Sequence, residues 1–489
     1  MMLFYRNPSR PRLRGLLLAA LALQFCLSGS LGLAQSVPEP RRDQLLNGLN
    51  VLLWERPGSP DVLIKLRIHS GSAFDLAGKA GTMSILADAL YADPVAREYI
   101  TNELGGRVEV TTDYDAINVT LAGRAQDYER LVDSLRTAII NVSLSAERVR
   151  ELREARAKLV RESGANPTLI ADRAVSARLF GDYPYGRPHE GSTATLARIE
   201  RADVQYARER FLNPNNSTLV IAGGVERGRA MRALRQLLGL WRKSEGVVPS
   251  TFRQPEAPNT QTLLVDFPGT ESAEVRVAVR GLARSDSDYA TASVLALIAR
   301  DRWQALMPEL KQSAFFVRHE AHVLPGIFVM GASVRQTDAA RALQTAQQVL
   351  RDLTKSPPTA QEFERARGEA VATFNRQMEK PETIADLWLD ADTYKLAANV
   401  SERARALSSV TPSDVQRVAV RLLSNATAGA TKTVADAAVV RVAVGSASQL
   451  KSDLERSGKV EVMSGGAGEE APPPPPKATN TGSATKKNP

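Results

Sequence analysis

The sequence predicts an α+β protein of two homologous α/β-sandwich domains, each a mixed sheet packed by helices, related by internal duplication. Three observations carry this. The order strand, helix, strand, strand, helix, helix runs through the first half of the 489-residue chain and is used again in the second. Each half closes on an apolar strand, Ser217 to Gly224 and Val439 to Val444. Between the halves Gln254 to Asn259, with Pro255 and Pro258, reads as a hinge-like linker.

The first domain, residues 35–253, opens with strands at Asn47 to Trp54 and Val62 to Ile68, the latter alternating in places. Helical patterns follow at Thr82 to Tyr91 and Val95 to Leu104, and Gly105-Gly106 ends the second. Val108 to Thr112 and Ala116 to Ala122 form a hairpin around Asp113-Tyr114-Asp115, and long helices cover Asp127 to Ile140 and Ser145 to Ser163. In the second domain, residues 260–450, Val275 to Arg280 is a strand and Tyr289 to Leu306 a helix. Phe315 to Val323 pairs with Gly326 to Val334. Ala339 to Leu353 and Gln361 to Met378 carry apolar residues at three- and four-residue steps, as helices do. Residues 451–489 are assigned to a disordered Pro/Gly/Lys-rich tail with five consecutive prolines at Pro472 to Pro476, read as a spacer.

The N-terminal residues read as an export signal. Arg6, Arg10, Arg12 and Arg14 precede an apolar stretch from Gly15 to about Leu33, and Gly32-Leu33-Ala34 is a small-x-small cleavage site before Gln35. An uncleaved anchor competes with this reading, but Gln24, Ser28 and Ser30 interrupt a short apolar run. Lipid attachment at Cys26, the only cysteine, is disfavoured by Phe25 before it. Cleavage after Ala34 leaves a periplasmic chain with no stable membrane anchor, no thiol and no disulfide. Losing four Arg leaves 59 bases against 54 acids, so the charge falls from +9 to about +5. That is no nucleic-acid signature, and no basic stripe interleaved with aromatics accompanies it.

Several motifs, in order, resemble the insulinase/pitrilysin-type metallopeptidases: Asn47-Gly48-Leu49, Gly71-Ser72, Gly78-Lys79-x-Gly81, Tyr183-Pro184-Tyr185-Gly186-Arg187-Pro188, and Phe211-Leu212-Asn213-Pro214-Asn215-Asn216 running into Gly223-Gly224. In the second half Thr359 to Arg367 is similar to the start of a long family helix. The resemblance covers about residues 40 to 445. It implies a zinc helix after Gly81, in which His-x-x-Glu-His supplies two ligands and a general base. Here those positions hold Ser84, Ala87 and Asp88. The family's third ligand, a Glu roughly 75 residues on, falls near Leu159 or Val160, with Glu162 the nearest carboxylate. A neutral Ser is a poor zinc ligand and Ala87 offers no base, so no metal is expected in this chain. The resemblance also implies an Arg and a Tyr about thirteen residues apart that hold the substrate carbonyl. Arg302 fits the first position and Phe315 the second, where the ring remains and the hydroxyl is gone. A helix-surface salt bridge is the expected role of Arg302.

The four histidines add no metal site. His319 and His322, placed on the Phe315 to Val323 strand, would point to opposite faces; His69 and His189 read as solvent-facing or locally hydrogen-bonded. Phosphate loops, dinucleotide fingerprints and a Gly-x-Ser-x-Gly elbow are absent from the sequence. The resemblance therefore implies a non-catalytic subunit whose homologous partner carries the zinc and which encloses peptides or unfolded protein. A protease-independent peptide-binding or scaffold protein is the alternative.

Overall fold

The computed structural model describes residues 39–246, 252, 255–310, 314–397, 399–425 and 439–465. The stretch read as an export signal (Cys26 included), part of the linker and the proline run lie outside them. Among the described residues no helix is long and apolar enough to cross a membrane.

Two six-stranded mixed sheets form the frame. The first comprises β1 (Arg41–Gln44), β2 (Asn50–Glu55), β3 (Asp61–Ile68), β4 (Arg107–Thr112), β5 (Ile117–Arg124) and β6 (Ser217–Gly223), in the order β1-β2-β6-β3-β5-β4. The second comprises β7 (Thr262–Asp266), β8 (Ser272–Arg280), β9 (Phe315–Glu320), β10 (Ile327–Arg335), β11 (Val440–Gly445) and β12 (Val460–Ser464), in the order β12-β7-β11-β8-β10-β9. Five strands correspond one to one: β2 with β7, β6 with β11, β3 with β8, β5 with β10 and β4 with β9. The sixth does not. β1 precedes β2 and pairs with it antiparallel, whereas β12 comes from the far end and pairs with β7 parallel.

This last strand corrects the sequence reading. The helix Ala447–Glu455 and β12 continue the second domain well beyond residue 450, where the tail was placed. Leu450 and Leu454 are buried in the second core, which anchors that helix. β9 is also shorter than expected. It stops at Glu320, so His322 lies in the turn before β10.

Each sheet packs one face against its own helices. Tyr128, Leu131, Leu135 and Val204 help fill the first core, and Trp303, Leu343, Phe363 and Val418 the second. The other face takes a helix from the opposite half. The helix Pro167–Phe180, from the first half, packs on β8 and β11. The helix Pro381–Tyr394, from the second, packs on β3 and β6. Val175, Leu179 and Phe180 share a buried cluster with Val265, Ala278, Val329 and Val442. Each of the Val, Leu and Phe side chains contributes about 2 kcal/mol on burial. The domains are therefore not self-contained blocks of sequence.

The exchange has a signature that sequence reasoning missed. Pro167-Thr168-Leu169-Ile170-Ala171-Asp172 and Pro381-Glu382-Thr383-Ile384-Ala385-Asp386 open the two crossing helices, 214 residues apart. Ser145 and Thr359, which cap the preceding long helices Ala146–Ser163 and Ala360–Gln377, differ by the same 214. Proline at the first helical position starts each crossing helix, since its missing N–H would be unsatisfied there anyway.

Candidate functional site

The segment before the Thr82–Leu90 helix is built by backbone geometry. Gly81 has φ +99°, and a Cβ there would meet Leu196 Cδ2 at 2.7 Å and the Glu190 carbonyl at 2.9 Å. Asp75 accepts from the Gly81 N–H at 2.7 Å and the Met83 N–H at 2.9 Å, supplying the cap that Gly81 lacks. Burial lifts its carboxyl to about 7 against the pull of those bonds. Lys79 donates to Asp203 and to the Arg198 carbonyl, both at 2.6 Å. Arg187 donates to the Asp75 carbonyl at 3.0 Å. Gly78-Lys79-x-Gly81 and the Tyr183 to Pro188 segment thus hold this helix in place, whatever stands on its face.

That face is committed to structure. The buried Ser84 hydroxyl donates to the His189 carbonyl at 2.8 Å. Ala87 is buried in the core of the first half. Asp88 accepts from Arg156 on the Ala146–Ser163 helix, Nε to Oδ2 at 2.9 Å and Nη2 to Oδ1. Burial raises the Asp88 carboxyl overall, with Arg156 pulling the other way.

The third-ligand region offers nothing in exchange. Val160 is buried, Leu159 is exposed, and Glu162 is exposed with Lys158 3.9 Å away. Zinc needs three protein ligands with free lone pairs. Here Ser84 offers only a neutral hydroxyl turned with its proton to a carbonyl, Leu159 and Val160 have no polar side-chain atom, and both oxygens of Asp88 are bound by a cation. The residues present do not fit the metal. Among the described residues no group of three or more His, Cys, Asp or Glu side chains could hold a metal ion.

Arg302 and Phe315 find their partners within the second half. Arg302 donates to both oxygens of Glu362 at 2.8 and 3.0 Å, a pair between two helices whose side chains are 17% and 26% exposed rather than one on the open helix surface. That bond holds the Glu362 carboxyl down at about 2. Phe315 meets Trp303 edge-on at 4.8 Å.

His189 lies in a loop, 38% exposed and 3.5 Å from Glu190, as the sequence leads one to expect, whereas the other histidines have partners the sequence does not show. His69 is neither free nor local: its ring nitrogens lie 2.9 Å from Thr218 Oγ1 and 3.0 Å from Thr393 Oγ1, bridging the halves. His319 Nε2 accepts from the Leu282 N–H at 3.0 Å. His322 contacts Asp115, on the first half's hairpin turn, at 3.2 Å. His319 and His322 thus stay apart through separate partners rather than through strand alternation. A cavity of about 1100 Å³ lies between the halves, lined by His69, Asp115, Tyr185, Asn216 and Asp392 among others. Ser84, Ala87, Asp88 and Arg156 are not among its walls.

Two duplicated six-stranded mixed sheets with exchanged helices make an α+β fold that solved structures share at low identity. A protease from Helicobacter pylori superposes with TM-score 0.75 at 15% identity, covering 83% of this chain and all of that one. A peptidase M16 inactive domain from Pseudomonas fluorescens gives TM-score 0.72 at 18% identity over 83% of this chain and 98% of that one. The family model for insulinase, peptidase family M16, matches residues 50–193, and that for the peptidase M16 inactive domain matches 198–369. The chain belongs to the insulinase family, peptidase family M16. Among curated relatives, human cytochrome b-c1 complex subunit 1 is 24% identical over 51% of this chain and 49% of its own length. An uncharacterized zinc protease of Mycobacterium tuberculosis is 24% identical over 41% of this chain and 47% of its own. The chain spans about half the length of these curated relatives.

Proposed function

We propose that this chain is the non-catalytic subunit of a periplasmic insulinase-like zinc metallopeptidase heterodimer. The observation behind this reading is the contrast at the Thr82–Leu90 helix. The lead-in holds the helix through Asp75, Lys79 and Arg187, while Ser84, Ala87 and Asp88 are spent on a carbonyl, the core and Arg156. A hydrolytic metal site needs open coordination and a base, and this face offers neither. The homologous partner carries the zinc. This chain supplies half of the chamber that encloses a peptide or unfolded protein, its shape fixed by the exchanged helices.

The test is recovery of the tagged mature chain from its native periplasm, with zinc and peptidase activity assayed on the isolated chain and on the eluate. The expected result is a metal-free, inactive chain that brings down a zinc-bearing homologue and activity. Stoichiometric zinc with chelator-sensitive cleavage by the isolated chain overturns the reading. A second reading, a protease-independent scaffold, draws on the similarity to cytochrome b-c1 complex subunit 1. Recovery of stable homodimers with no zinc-bearing homologue favours it.

A further inference from the structure

We propose that Arg156 is a built-in cation, tying the Thr82–Leu90 helix to the Ala146–Ser163 helix through Asp88 in place of a metal. This deepens the non-catalytic reading and rests on it. The two helices pack against each other. At their contact the Asp88 and Arg156 side chains are 33% and 18% exposed. Two guanidinium nitrogens reach two carboxylate oxygens, a forked geometry that fixes direction as well as charge. A divalent ion at Asp88 would meet a permanent positive charge within hydrogen-bond reach of the same oxygens.

The second half supplies an independent observation. Its corresponding helices, Tyr289–Leu306 and Ala360–Gln377, are joined by ion pairs beside their apolar packing. Arg300 donates to both oxygens of Glu369 at 2.8 Å, and Arg302 to both oxygens of Glu362 at 2.8 and 3.0 Å. Arg365 reaches back to Asp301 at 3.0 Å. The first half thus uses the fastening of the second, with the acid on the first helix and the base on the long one. Arg156 lies one turn before the buried Val160 and on the same side of its helix, which is why it reaches Asp88 while Glu162 stays in solvent.

The experiment uses the isolated mature chain. Ser84→His/Asp88→His keeps Arg156, and Ser84→His/Asp88→His/Arg156→Glu replaces it with a third ligand. Zinc is counted by equilibrium dialysis and melting is followed with and without the ion. The double variant is expected to take up essentially none, and the triple variant about one zinc per chain with a raised Tm. Stoichiometric zinc on the double variant, or none on a folded triple variant, overturns the proposal. In the wild-type background Arg156→Met should lower Tm by about 3 °C or more, and Arg156→Met/Asp88→Leu should recover most of that loss. An unchanged Tm in Arg156→Met, or a wild-type Tm that falls in chelator, also overturns it. All readouts are on the isolated chain, so their failure leaves the search for a partner untouched, and absence of a partner leaves them standing.

Discussion

Asp172 and Asp386 hold the same place, 214 residues apart, on helices that each lie on the other half's sheet. Asp172 accepts from Arg276 on β8 at 2.6 Å, and Asp386 from Lys65 on β3 at 2.5 Å. The surroundings differ. Arg276 is fully buried and has Glu274 as a second partner at 3.0 Å. Asp386 is 42% exposed.

Removing Asp172 leaves Arg276 its Glu274 partner, whereas removing Asp386 leaves Lys65, 10% exposed, facing only a distant Glu382 carbonyl at 3.5 Å among the described residues. Asp386→Ala should therefore cost about 2–3 kcal/mol and Asp172→Ala about 1 kcal/mol. Urea denaturation compares the two directly. Equal losses would contradict the difference in remaining partners.

The helix Pro381–Tyr394 faces β3 and β4 with a stripe of acids. Glu382 meets Arg107 at 3.1 Å, Asp386 meets Lys65, and Asp390 meets Arg67 at 2.7 Å. The helix Pro167–Phe180 is seated mainly on apolar side chains. Salt screens exposed charges but strengthens apolar burial. Of these pairs only Glu382–Arg107 is exposed on both sides, so hydrogen exchange should accelerate in the first turn of Pro381–Tyr394 between low and high ionic strength while Pro167–Phe180 changes little. The reverse order would show that the ion pairs do not seat the crossing helix.

His319 and His322 set opposite pH limits. Burial pushes His319 down to about 4, and protonating Nε2 would break its bond from the Leu282 N–H. The unfolded chain takes up that proton near 6.5, so stability falls as pH drops from 6.5 to 4, by about 1.4 kcal/mol per pH unit. His319→Gln, which can still accept that bond, should flatten the slope. Burial works against the charge of His322, but the Asp115 hydrogen bond and charge outweigh it and raise the pKa. Its contribution is complete below the unfolded value and is lost as pH rises through the raised one. Asp115→Asn should remove that alkaline loss in the same melting series.

Gly81→Ala meets two obstacles at once, a left-handed φ of +99° and a Cβ clash with Leu196 and the Glu190 carbonyl. A loss of about 2 kcal/mol or more is expected by chemical denaturation. Gly58→Ala, with φ +81° and open space, should cost clearly less.

Local pattern determined much of this protein. The helix Tyr289–Leu306 lies where the sequence places it, because its apolar spacing and the Asp286-Ser287-Asp288 start are properties of neighbouring residues. The Asp113-Tyr114-Asp115 hairpin is legible for the same reason: Asp113 accepts from the N–H groups of Asp115 and Ala116. So were the duplication and the family, each a matter of which residue stands at which position. Tertiary structure alone decided that β12 closes the second sheet, that the two helices change places, and that Asp88 meets Arg156 and Asp115 meets His322. These pairings join residues 68 and 207 apart, and no periodicity encodes them. The crossing helices follow from which sheet faces are left uncovered, and the pair Asp88–Arg156 from how two helices of the first half pack together.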